Sequence, residues 1–259
     1  MKVYEFGEQG KPVLMLLPGT GCYWRSNFGK VIEPLAETFR VACVSYDGFD
    51  ETEQTQFPTM IEETAKIEEY IKEHYGGKIC AAYGCSLGGS FVGLMAARGV
   101  IHMDYGILGG SDLDQSAKLP AKLMTALMLP MIYPFLTTGR FRLPFLNRKL
   151  EKWRKAGDGY VDAFIGMRGA GVDLSFITKE SLRNQFYSDL ITPLPDAIDP
   201  AGTEIHILYA LKMGEKYRAR YHRHFAHPVL HELDMQHEEL LAVHPKEWVE
   251  LIEDICRQK

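Results

Sequence analysis

Short apolar runs alternate with longer amphipathic stretches through most of this chain. Residues 13–17, 40–46 and 78–83 have the length and apolar content of buried strands. Between them, residues 26–39 and 59–75 carry apolar side chains at helical spacing. Strands that alternate with helices predict an α/β fold with a mostly parallel, doubly wound sheet covered by helices on both faces.

The alternation stops after a strand at residues 105–108 and resumes near residue 201. The segment 112–200 has a helical pattern punctuated by prolines, which is typical of an inserted lid. The later pattern predicts two strands and two helices, at 204–209, 215–225, 228–233 and from about Pro245 onward. We therefore predict one α/β core, residues 1–111 and 201–259, with a helical lid at 112–200.

The charge and length of the chain favour a small-molecule ligand. Its 259 residues carry a net charge of −5, which gives no general attraction for nucleic acid. The polar, mixed-charge N-terminal residues lack the features of a secretory signal, so we expect a cytoplasmic protein. We also expect no stable membrane insertion, because Pro130 and Pro134 interrupt the apolar residues 123–136. The five cysteines are scattered and form no C-x-x-C pair, which predicts no metal site.

One motif carries a specific chemical meaning. Gly84-Cys85-Ser86-Leu87-Gly88 is a G-x-S-x-G sequence between a predicted strand and a predicted helix. A serine that serves as a nucleophile there needs a sharp turn, and glycines two residues to either side relieve the crowding. The motif predicts Ser86 as a nucleophile above the carboxyl edge of the sheet.

In these features the chain resembles the α/β-hydrolase superfamily, over nearly its whole length outside the lid. The resemblance implies a Ser-acid-His triad in that chain order. It also implies an oxyanion hole formed by the backbone N–H of Leu87 and, from the loop after an early strand, that of Thr20. His237 follows the last predicted strand and precedes the last helix, where the family has its general base.

The acid of the triad is not apparent. At the position where the family most often has its carboxylate, this chain has Met213. Asp112, at the end of the strand that follows the nucleophile helix, and Glu215 are the two substitutes. We rank Asp112 slightly ahead because it directly follows a strand, where catalytic residues of open α/β sheets gather.

These residues predict a serine hydrolase that cleaves an ester or related acyl substrate through an acyl-enzyme, in the manner of a carboxylesterase or lipase, without a cofactor. Two alternatives remain open. The fold could serve a non-catalytic ligand-binding protein, or the same site could support lyase, thioesterase or acyltransferase chemistry.

Overall fold

The computed structural model describes residues 1–113, 115–157, 159–169 and 172–257. These residues form one seven-stranded sheet. The strands are β1 (Lys2–Phe6), β2 (Val13–Leu17), β3 (Arg40–Ser45), β4 (Lys78–Cys85), β5 (His102–Gly109), β6 (Glu204–Ala210) and β7 (Val229–Leu233). Their order is β1-β3-β2-β4-β5-β6-β7, and every pair is parallel except β1 with β3. The predicted mostly parallel α/β sheet is confirmed.

Helices connect the parallel strands and cover the sheet. They are α1 (Trp24–Ala36), α2 (Met60–Tyr75), α3 (Leu87–Arg98), α4 (Lys118–Thr138), α5 (Pro144–Ala156), α6 (Tyr160–Met167), α7 (Lys179–Ile191), α8 (Glu215–His224), α9 (Glu239–Val243) and α10 (Pro245–Cys256). Helix α1 packs against α10, and α2 packs against α3 and α7. Helices α4 to α7 lie in the segment for which a helical lid is predicted.

Local sequence explains helix α2 well. The Thr59 hydroxyl caps its N-terminus by accepting a hydrogen bond from the Glu62 amide at 3.2 Å. Gly76 ends the helix in the left-handed conformation, which a residue without a Cβ adopts at little cost. Both ends therefore follow from the residues themselves.

Two N-terminal features differ from the predictions. Strand β1 was not predicted, because it is a short edge strand of mixed polarity that pairs on one side only, antiparallel to β3. The helical pattern predicted from residue 26 starts earlier in the structure, since α1 begins at Trp24 and its N-cap is Tyr23. Trp24 is buried and stacks on Tyr4 at 4.5 Å between ring centroids, so tertiary packing sets this helix start.

The prolines of the apolar segment do not interrupt it. Pro130 and Pro134 lie inside the continuous helix α4, and the Thr137 and Thr138 hydroxyls donate to the carbonyls of Tyr133 and Pro134 near its end. By length and composition alone this helix could cross a membrane, and less than a quarter of its most apolar stretch is buried. The absence of membrane insertion stays a prediction.

Substitution of Gly88 tests how closely helix α3 packs on the sheet. A methyl group there would lie 2.1 Å from the Leu17 carbonyl oxygen, which is backbone and cannot rotate away. We expect Gly88→Ala to lower the free energy of unfolding by about 2 to 4 kcal/mol. Gly29→Ala is the matched control: it lies inside α1 with no atom near the added methyl group and should raise stability by about 0.5 to 1 kcal/mol. Urea denaturation measures both, and equal stabilities would contradict the packing argument.

Candidate functional site

Ser86 occupies a strained turn between β4 and α3. Its φ of 50° lies in a region that non-glycine residues rarely adopt. A Cβ on Gly84 would come within 2.1 Å of the Gly88 backbone, so the turn requires glycine there. The Ser86 amide donates to the Gly109 carbonyl at 2.6 Å and to Glu238 Oε1 at 2.8 Å. These two acceptors hold the strained residue in place.

The loop after β2 lies directly against this turn. A Cβ on Gly19 would be 3.5 Å from Ser86 Cβ. The loop is held by side chains, since the amides of Gly19 and Gly21 donate to Asn27 at 2.9 Å and to Gln185 at 2.8 Å. Its shape is therefore determined by α1 and α7 as well as by β2.

The two backbone N–H groups that were predicted to form the oxyanion hole have no acceptor among the described residues. Thr20 N–H lies in the loop after β2, and Leu87 N–H is in the first turn of α3, beyond the reach of the helix's own carbonyls. Both flank Ser86. Unpaired amides beside a half-buried hydroxyl can bind an oxyanion that forms there.

His237 lies between β7 and α9, at the same edge of the sheet as Ser86. Its imidazole hydrogen-bonds the Gly110 backbone, and a Cβ on Gly110 would be 2.8 Å from Nδ1. Tyr160 Oη donates to the His237 carbonyl at 2.8 Å, and the Phe164 ring lies edge-on at 5.9 Å between centroids. Backbone and aromatic contacts therefore orient the ring.

Burial lowers the pKa of His237 below its ordinary value of 6.5. The negative charge of Glu238 and the hydrogen bond to Gly110 act to raise this pKa, whereas the positive charge of Arg168 acts to lower it. The imidazole is consequently neutral at pH 7, the form that can accept a proton.

Neither predicted acid is among the described groups that act on this imidazole. Asp112 has its carbonyl bonded by the Arg220 guanidinium, beyond the end of β5. Glu215 is an exposed residue in the first turn of α8, where it pairs with Arg218 at 3.2 Å. The carboxylate that does influence His237 belongs to the next residue, Glu238.

Glu238 was missed in the sequence analysis. It is buried, adopts a left-handed backbone conformation with φ of 56°, and accepts hydrogen bonds from the Ser86 amide and from Tyr83 Oη at 2.9 Å. Burial and the charge of Glu238 raise the pKa of Tyr83 well above its ordinary value, so this phenol stays a donor. The only sequence signal was a glutamate directly after the candidate histidine.

Helix α6 presents a second missed group of residues to the site. Tyr160 and Phe164 lie four residues apart on one face of α6, and Arg168, four residues further on, is the C-cap residue directly after the helix. Arg168 Nη2 donates to the Thr20 carbonyl at 2.8 Å, and its guanidinium lies over the Phe164 ring at 5.7 Å. This spacing in the lid segment was a readable signal.

The opposing charges on His237 give a direct test of this arrangement. Glu238→Gln removes a negative charge that favours the imidazolium, so the pKa of His237 should fall further below 6.5. Arg168→Gln removes a positive charge and should raise the same pKa. Titration of the His237 ring signals by NMR measures both shifts. Shifts in the same direction, or none, would refute the proposed electrostatic roles.

Comparison with solved structures identifies the fold. No protein-family model and no curated protein sequence matches the chain. Solved structures do, among them a protein described as an α/β-hydrolase family member from Desulfitobacterium hafniense (TM-score 0.77, 21% identity, covering 98% of this chain and 99% of that one). A thermophilic esterase from Thermogutta terrifontis (0.70, 18%, 99% and 93%) and an enol-lactonase from Burkholderia xenovorans (0.69, 15%, 99% and 96%) are also similar. The chain therefore has the α/β-hydrolase fold.

Proposed function

We propose that this protein is a serine hydrolase that cleaves an ester or related acyl compound. One observation carries the proposal: the strained Ser86 precedes the unpaired Leu87 amide and lies against the loop that holds the unpaired Thr20 amide, at the edge of the sheet where burial favours neutral His237. A nucleophile, a base and an oxyanion site are the groups that acyl transfer requires.

The chemistry follows in two steps. Ser86 Oγ attacks the substrate carbonyl while His237 accepts the hydroxyl proton, and the oxyanion accepts hydrogen bonds from the amides of Thr20 and Leu87. The imidazolium then gives its proton to the leaving group, and an acyl-enzyme forms. Water, deprotonated by His237, attacks this ester and releases the acid and free Ser86.

In this proposal Glu238, rather than Asp112 or Glu215, supplies the negative charge that the acid of a conventional triad provides. Hydrogen bonding to Gly110 orients the His237 ring, a task that the acid performs in a conventional triad. The buried charge of Glu238 stabilises the imidazolium that forms during attack. The carboxylate also holds the Ser86 amide, so one side chain supports both reacting residues.

Several similar structures carry names that support hydrolysis of an acyl bond. Those reported above are described as a hydrolase-family protein, an esterase and an enol-lactonase. Segment 112–200 acts as the lid in this proposal, because Tyr160 donates to the His237 carbonyl and Arg168 donates to the Thr20 carbonyl.

Covalent labelling tests the nucleophile. A fluorophosphonate probe should label the wild-type protein and fail to label Ser86→Ala, since only an activated serine attacks phosphorus at a useful rate. Ser90→Ala is the matched control, a half-buried serine one helical turn further along α3, and should label normally. Equal labelling of wild type and Ser86→Ala would end the proposal.

Turnover tests Glu238. Because the Gly110 backbone still orients His237, Glu238→Gln should lower kcat for a short-chain ester by about 10- to 100-fold, less than the roughly ten-thousandfold loss expected when a conventional triad acid is removed. Asp112→Asn should change kcat by less than about threefold. A large loss in Asp112→Asn with little effect in Glu238→Gln would restore Asp112 as the acid.

A further inference from the structure

Arg168 brings a positive charge to the candidate site from outside the sheet. It follows α6 and donates to the carbonyl of Thr20, the residue whose own N–H is one of the proposed oxyanion donors. Its charge also acts on His237 and on Cys22, so the guanidinium lies near both the histidine and the loop after β2. Arg168 is therefore close to where a substrate carbonyl would bind.

This cation has no negative partner within the described part of the chain. Its one hydrogen bond goes to the neutral Thr20 carbonyl, and its other contact is the Phe164 ring. A guanidinium carries several further N–H donors in a planar fork that suits a carboxylate. The half-buried side chain thus has donors to offer a ligand.

The unpaired charge also works against the proposed reaction. Arg168 disfavours the protonated form of His237, which is the form that appears when Ser86 attacks. A carboxylate bound to Arg168 would cancel this effect. Arg168 therefore slows the attack of Ser86 on a neutral substrate. An anionic substrate bound to Arg168 removes this effect.

We propose that Arg168 binds a carboxylate of the substrate, so that the protein acts on esters carrying a second, ionised carboxyl group near the scissile carbonyl. This inference rests on the proposed serine hydrolase function. The carboxylate belongs either to the acyl part or to the leaving alcohol, and both give the same charge-assisted, two-point contact.

Three matched esters test the proposal at pH 8, where His237 is neutral in every variant. Ethyl butyrate is neutral, monoethyl succinate has the carboxylate on the acyl side, and O-butyrylglycolate has it on the alcohol side. The wild-type protein should prefer one anionic ester over ethyl butyrate in kcat/KM by at least about tenfold. Which anionic ester is preferred identifies the side of the carboxylate.

Variants of Arg168 separate recognition from a structural role. Arg168→Gln should lower the anionic-to-neutral ratio of kcat/KM by about 10- to 100-fold, and Arg168→Lys should recover part of it. Arg142→Gln, at an exposed arginine of the same segment, should leave the ratio unchanged. A ratio that does not change in Arg168→Gln, or a wild-type preference for ethyl butyrate, would overturn the proposal.

Binding distinguishes failure of this inference from failure of the proposed function. If the wild-type protein hydrolyses none of the esters, calorimetric titration of Ser86→Ala with monoethyl succinate and with O-butyrylglycolate still reports recognition. Binding that is lost in Ser86→Ala/Arg168→Gln supports carboxylate recognition without hydrolysis. No binding of either ester would overturn it.

Discussion

The hydrogen bond from the Ser86 amide to the buried carboxylate of Glu238 connects the parts on which this site depends. A non-glycine residue at φ 50° keeps that conformation only when its surroundings impose it. Here Gly109 and Glu238 accept from the same amide, and Gly84 and Gly88 allow the chain to turn without collision. Through Glu238, the turn after β4 is tied to the loop after β7 that carries His237.

The groups around His237 have opposing effects on its pKa. Burial and Arg168 disfavour its protonated form, while Glu238 and the Gly110 backbone favour it. Two of these groups come from the core, and Arg168 comes from the inserted helical segment. Because charges are weakly screened in a half-buried site, a ligand that neutralises Arg168 would change the proton affinity of the base. Segment 112–200 can thus influence the chemistry proposed for Ser86 and His237.

Much of the fold could be predicted because local patterns and tertiary structure agree. Strands β2 and β3 were located by their apolar runs, and α2 by its helical periodicity. Predictions failed where long-range packing decides the outcome. Edge strand β1 is short and of mixed polarity and pairs only with β3, and the start of α1 follows the burial of Trp24 against Tyr4.

The sequence by itself determined the alternation of strands and helices, and it placed Ser86 and His237 after strands whose carboxyl ends share one edge of a parallel sheet. Those features depend on periodicity and on glycine spacing, which are local. Only the tertiary structure decided which charged groups surround His237. Glu238 and Arg168 act through burial and through distance in space, and neither quantity can be read from sequence position.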